Sequence, residues 1–379
     1  GNLLSEEIRD FTTINIQGTL TDRKFIISNL MVTIEGIDAT LNNGKITLEE
    51  GAVAYIKNIK FNTEDIAIEL NSDDSLIENV TINTSSSDAA IAIDGNGNTV
   101  TKSTITLSNE TSAKAVTIKG SNNKITNNNI TSNKAASVNA IIVDGDSVGN
   151  NILSNTITIN NATDAKAVVI NGKFNHSQVS SNNIYINATN VCAIDATGDM
   201  ESAVINTNKI FVGTANTFKA IAIKGNLDNV TVNSNNIQTK NTTTINAIEV
   251  IGDFTNKAQI ARNTINITNA DSIVAVNVTG TLYSGSFVST HIINITGKNV
   301  IGITVDKLTN STELRSNSMN ITATEQSDAN VGIIVSGENY TVASNTVNGN
   351  VLPLKVYDSE NVRVERLYGN ITQAVVFSN

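Results

Sequence analysis

The chain has 379 residues and a formal net charge of −10, from 25 Lys and Arg against 35 Asp and Glu. That balance excludes a nucleic-acid partner, whose phosphates demand a basic footprint, and disfavours an anionic membrane surface. A single cysteine, Cys192, excludes an intrachain disulfide, and a lone Pro353, no Trp and Asn at roughly one position in six depart from average globular usage.

Residues 1–11, with Leu3, Leu4, Glu6 and Glu7, are expected to form an edge or cap segment, either a truncated coil or a short helix. From Thr12 to about residue 87 an apolar-Asn-apolar trio recurs loosely. Ile26, Asn29 and Met31 fit it, whereas Ile56-Lys57-Asn58-Ile59 and Ile77-Glu78-Asn79-Val80 bring the Asn one place nearer the first apolar residue. From 88 to 350 the pattern is regular, and Ile125, Asn128 and Ile130 return as Ile152, Asn155 and Ile157, a repeat of 27 residues. Each repeat opens with an apolar alternation ending in Gly or a turn residue, as in Ala115 to Gly120 (AVTIKG) and Ala220 to Gly225 (AIAIKG). Period-two alternation marks a strand with one buried face, and the terminal Gly suits a turn with positive φ.

The apolar pair of the trio stays five apart over ten consecutive repeats, from Val100/Ile105 to Val342/Val347. Between its members stands a polar column of Asn128, Asn155, Asn182, Asn208, Asn235, Asn263, Asn317 and Asn345, with Ser103 and His291 as exceptions. Asn accepts a left-handed backbone and its amide both donates and accepts, so the column reads as a turn ladder. A second column, Phe174, Met200, Leu227, Phe254 and Leu282, reads as interior packing that changes the cross-section near residue 170. The segment 351–379 supplies a last coil with Val362, Val364 and Leu367 pointing inward, and an uncapped strand edge after it implies that the natural protein continues.

A unit this short cannot bury its apolar face alone and must lean on a neighbour. The chain is therefore expected to be all-β, a parallel β-helix solenoid of about thirteen coils with three short strands per coil, one stack over 12–379. The A-[IV]-x-[IV]-x-G alternation and the S-N-x-I trio resemble the right-handed parallel β-helix proteins of the pectate-lyase-like superfamily. In their Asn, Ile, Thr and Ser bias they are similar to adhesin-like surface proteins of methanogenic archaea. That resemblance implies a right-handed coil in an exported, wall- or membrane-tethered protein that contacts other cells or glycans.

The same superfamily includes polysaccharide lyases and hydrolases, which need a base beside acidic residues holding Ca²⁺, or two opposed carboxylates. No Asp cluster recurs beside any Arg here, and Asp73-Asp74 reads as a solvated turn. Neither His176 nor His291 has a second His or a Cys at metal-ligand spacing, Cys192 reads as a small residue beside the core, and no metal or cofactor is expected. Asp94, Asp144 and Asp306 share a turn station with Lys119 and Lys224, which argues against a Ca²⁺ row.

The residue after each trio faces outward. Tyr185 and Phe211 hold that place on adjacent coils, flanked by Thr158, Gln238 and Asn266, and could stack a sugar ring and bond its hydroxyls. Sixteen Asn-x-Ser/Thr sequons are about what chance gives in so Asn-rich a chain. No apolar run reaches the ~20 residues that span a bilayer and Gly1 begins no signal peptide, so this segment is not expected to enter the membrane. The expected role is a monomeric, extracellular, non-catalytic adhesin region that binds glycan or another cell surface, or presents a binding tip. The alternatives are a β-helical polysaccharide lyase or hydrolase, and a passive stalk.

Overall fold

The computed structural model describes residues 10–370 and 375–378, so the cap expected over residues 1–11 lies outside the described residues except for Asp10 and Phe11. Among the described residues there is no helix. The chain is an all-β parallel solenoid of about thirteen turns, consistent with a right-handed parallel β-helix, the hand that parallel crossovers adopt. It forms two compact units, Gly1–Asn171 and Gly172–Asn379.

In the first unit, Thr12–Thr21, Met31–Asn42 and Val53–Thr63 pair side by side as long parallel strands. Val53–Thr63 then pairs with both Leu76–Glu78 and Thr81–Thr84, so one strand gives way to two where a turn is inserted. Ile56 and Phe61 thereby head a double column that continues through Ile77/Ile82, Val100/Ile105, Ile125/Ile130 and Ile152/Ile157. None of these side chains is more than 1% exposed, and each fully buried aliphatic contributes about 1.5–3 kcal/mol.

Two expectations are corrected here. Ile26 and Met31 do not join the column: Lys24–Ile27 is in register with Lys45–Leu48 at the opening-strand station, and Met31 pairs with Val53, three residues before the Ile34–Ile56 pair. Ile26 is 61% and Met31 44% exposed, while Ile27 faces in, since one step along a strand reverses the face. The left-handed residue of each turn also precedes the ladder: Lys102, Asn127 and Ser154 have φ of 51°, 58° and 56°. Asn58 and Asn79 occupy that same place, which leaves buried Ile59 and Val80 at the ladder station of the early coils.

In some coils the second trio strand runs on into the next opening strand, as in Thr156–Asn171 of the first unit and Asn183–Thr197, Thr264–Leu282 and Ile292–Leu308 of the second. Phe174, Met200, Leu227, Phe254 and Leu282 are all buried, the last four in lateral register. Val362, Val364 and Leu367 are half-buried rather than buried. Val364 stacks on Val342.

Glycine at the end of the opening strands is required there by close approach. A Cβ at Gly225 would lie 2.2 Å from the Gly198 carbonyl oxygen, with no side-chain atom to yield. Gly225→Ala is expected to destabilise the second unit by about 2 kcal/mol, read from urea unfolding. A change of a few tenths would mean that neighbouring coils separate freely.

Candidate functional site

The Asn column lies in the interior and bonds along the axis within each unit. In the first, the backbone N–H of Ser103 donates to Asn128 Oδ1 at 3.0 Å and that of Asn128 to Asn155 Oδ1 at 3.0 Å. Asn128 and Asn155 Nδ2 reach back to the carbonyls of Val100 and Ile125. In the second unit the same relay runs from Asn182 through Asn208, Asn235, Asn263, His291 and Asn317 to Asn345. These bonds run from turn to turn along the axis, so the column holds the turns together.

A further ladder, not foreseen from sequence, runs through Asn98, Asn123 and Asn150 in the first unit. Each Oδ1 accepts the preceding rung's backbone N–H at 2.8–2.9 Å, from Ser75, Asn98 and Asn123 in turn. Its signal was present as an Asn two places before Val100, Ile125 and Ile152.

The outward residues expected to bind sugar fall into two groups. Tyr185, Phe211, Gln238 and Asn266 are lateral neighbours on four successive strands of the second unit. Each is one strand spacing, about 4.8 Å, from the next. Alternation puts them there: Ile184 and Ile186 are fully buried, so Tyr185 between them must face out, and it is 44% exposed. The column continues as Asn294, Asn320 and Asn348. Asn294 Nδ2 donates to Asn266 Oδ1 at 2.8 Å, Asn320 to Asn294 at 2.8 Å and Asn348 to Asn320 at 3.2 Å. This leaves one N–H of each of these donating amides directed away from the ladder, beside an aromatic pair at one end. Thr158 belongs to the other unit, where it is in register with Thr131 and Thr106.

Charged groups converge elsewhere. On the opening-strand face of the second unit Lys219 Nζ forms an ion pair with Glu249, whose other oxygen accepts from Asn246 Nδ2 at 3.0 Å. Glu249 is only 7% exposed although it faces out of its strand. Asp195 lies two ladder steps away in the same column, with buried Ala222 between them. Only coil geometry brings residues 30 positions apart, Lys219 and Glu249, together. In the first unit Lys102 Nζ meets Glu78 at 2.7 Å and the Tyr55 hydroxyl donates to the same carboxylate. That hydrogen bond raises the Tyr55 pKa, and the Lys102 and Tyr55 bonds lower that of Glu78.

Asp73 caps a turn, its Oδ1 accepting the Asn96 backbone N–H at 2.6 Å. His176 is exposed in a turn with φ of 50°, and Cys192 is half-buried within Asn183–Thr197. Among the described residues no group of three or more His, Cys, Asp or Glu side chains could hold a metal ion.

The sequence matches no protein family, and no curated protein matches it. Among solved structures the chain is similar to a PL6 alginate lyase in complex with a trisaccharide, with a TM-score of 0.35 and 12% identity over 97% of this chain and 81% of that one.

Proposed function

We propose that this chain is a glycan-binding solenoid region of an exported, cell-surface protein, acting through the outward face of its second unit. The observation that carries this reading is the lateral register of Tyr185 with Phe211, continued by Gln238 and a row of amides. Aromatic faces cover the apolar side of a pyranose, and amides at one-strand intervals supply donors and acceptors for its hydroxyls. The adhesin-like setting, as a monomer outside the cell, rests on the composition and repeat style of the sequence.

Polysaccharide cleavage is supported by a separate observation. Glu249 and Asp195 stand two strand spacings apart across a small residue, on the order of 10 Å. The carboxyl groups of inverting hydrolases are separated by roughly 6.5–9.5 Å. One experiment addresses both. Retention on immobilised polysaccharides is measured for the wild type and for Tyr185→Ala/Phe211→Ala, with the circular dichroism spectrum checked in parallel, and chain length of the bound polymer is followed by size exclusion. Roughly tenfold weaker retention of the double variant is expected. Unchanged retention refutes binding by this face. Shortening of the polymer that Glu249→Gln abolishes makes the protein an enzyme instead, and retention of no polysaccharide at all leaves a passive stalk.

A further inference from the structure

We infer that the glycan held by the Tyr185–Phe211 face is an acidic one, its carboxylates or sulfates meeting Lys209 and Lys240. This rests on the glycan-binding reading above and adds the ligand's charge to it. On the strand bearing Phe211, Lys209 occupies the next outward position before it. Lys240 stands two residues past Gln238 on the following coil, where its backbone N–H bonds to the Val212 carbonyl. The two lysines thus flank the Phe211–Gln238 pair on opposite sides, one coil apart. Lys209 pairs with Asn236, four residues before Lys240, so four residues along a strand and one spacing across it separate their Cα atoms by about 14 Å.

Both lysines are exposed, and neither takes part in an ion pair among the described residues. Other charged side chains of this unit pair elsewhere: Lys219 with Glu249, Lys298 with Asp271 at 2.9 Å, Arg315 with Glu313 at 3.2 Å, and Arg363 and Arg366 with Glu365. The segments forming this part of the face, 182–188, 208–213 and 235–241, contain no Asp or Glu. In a chain with net charge −10, an outward face that carries two lysines, two aromatic rings and amides but no carboxylate is a local reversal of sign. Such a reversal draws an anion toward the rings and repels nothing from beneath. Gly213, one residue past Val212 on the neighbouring coil, has no side chain, and a Cβ there would lie 2.1 Å from Asn187 Oδ1.

The test compares three soluble oligosaccharides of matched length by titration calorimetry at low and at physiological salt: a neutral β-1,4-glucan, a polyuronate and a sulfated galactan free of carboxylate. The wild type, Lys209→Gln/Lys240→Gln and Tyr185→Ala/Phe211→Ala are compared on each. The two lysines and Tyr185 are exposed and Phe211 is half-buried on the same outward face, and circular dichroism confirms that the coil persists. The wild type should bind at least one acidic ligand roughly tenfold more tightly than the neutral one, with affinity falling as salt rises. The lysine variant should lose that preference and its salt dependence while keeping the weak neutral binding.

Which acidic ligand is preferred tells carboxylate from sulfate. Equal affinity for neutral and acidic ligands, lost in the aromatic variant, overturns the acidic assignment and leaves glycan binding by this face intact. Acid preference that survives removal of both rings but not of both lysines upholds the charge and refutes the stacking. No binding to any of the three overturns both.

Discussion

Asn235→Leu is expected to cost the second unit about 4 kcal/mol of unfolding free energy, the largest loss from any single side chain considered. Asn235 is 1% exposed. Its Oδ1 accepts from both the backbone N–H and Nδ2 of Asn208 at 3.0 Å, and its Nδ2 donates to the Ile205 carbonyl at 3.0 Å and to Asn263 Oδ1 at 2.9 Å. Leucine matches the volume but offers no hydrogen bond. The Asn208 backbone N–H and the Ile205 carbonyl are then buried unpaired, at roughly 1–3 kcal/mol each. Asn294→Leu is the control, because Asn294 bonds its neighbours in an outward ladder where water replaces what is lost. It should change stability by less than about 0.5 kcal/mol. Urea unfolding of both, with hydrogen exchange at the Asn208 amide, decides the matter. Equal losses for the two variants would show that the interior column carries no special share of stability.

His291 predicts a pH dependence with a definite sign. It stands in the same column, fully buried, and copies an asparagine. Nδ1 accepts the Asn263 backbone N–H at 3.2 Å and Nε2 faces the Ile260 carbonyl at 3.1 Å. Those partners assign the proton to Nε2, so the ring is neutral. Protonating Nδ1 would set one N–H against another in a fully buried site. Burial therefore pushes the His291 pKa from its ordinary 6.5 down to about 4.

Below pH 6.5 the unfolded chain binds a proton that the folded chain refuses until about pH 4. Stability from this residue is thus complete above pH 6.5 and is lost as pH falls toward 4, by about 3 kcal/mol in total. His291→Asn restores the amide found on either side. It should remove this part of the acid sensitivity and leave stability near pH 7 within about 1 kcal/mol. Unfolding free energies for both proteins between pH 7 and 4 test it. Parallel curves would mean that the ring is not confined to its neutral form.

Much of this was legible locally. The five-residue spacing of Ile125 and Ile130 identifies both as interior because alternation is a property of one strand, and both are buried. The same logic placed Tyr185 and Phe211 outward. It failed at Phe25-Ile26-Ile27, where three apolar residues in a row give no phase and only pairing with Ile46-Thr47-Leu48 selects Ile27 for the interior. The Asn98, Asn123, Asn150 ladder does not stand out locally because the station is not Asn throughout, Ser177, Ala203 and Val230 holding the matching place before their own trios.

By itself the sequence determined the strand class, the repeat, the inward pair and the polar column, since each depends on spacings of a few residues within one coil. The tertiary structure alone decided which rungs bond, that the left-handed residue is Lys102 or Asn127 and not the ladder amide, and that Lys219 meets Glu249. It also decided that Lys209 and Lys240 bracket one aromatic ring. Those relations join residues about a coil apart, and their distances follow from how the coils register laterally, a quantity that no short stretch of chain contains.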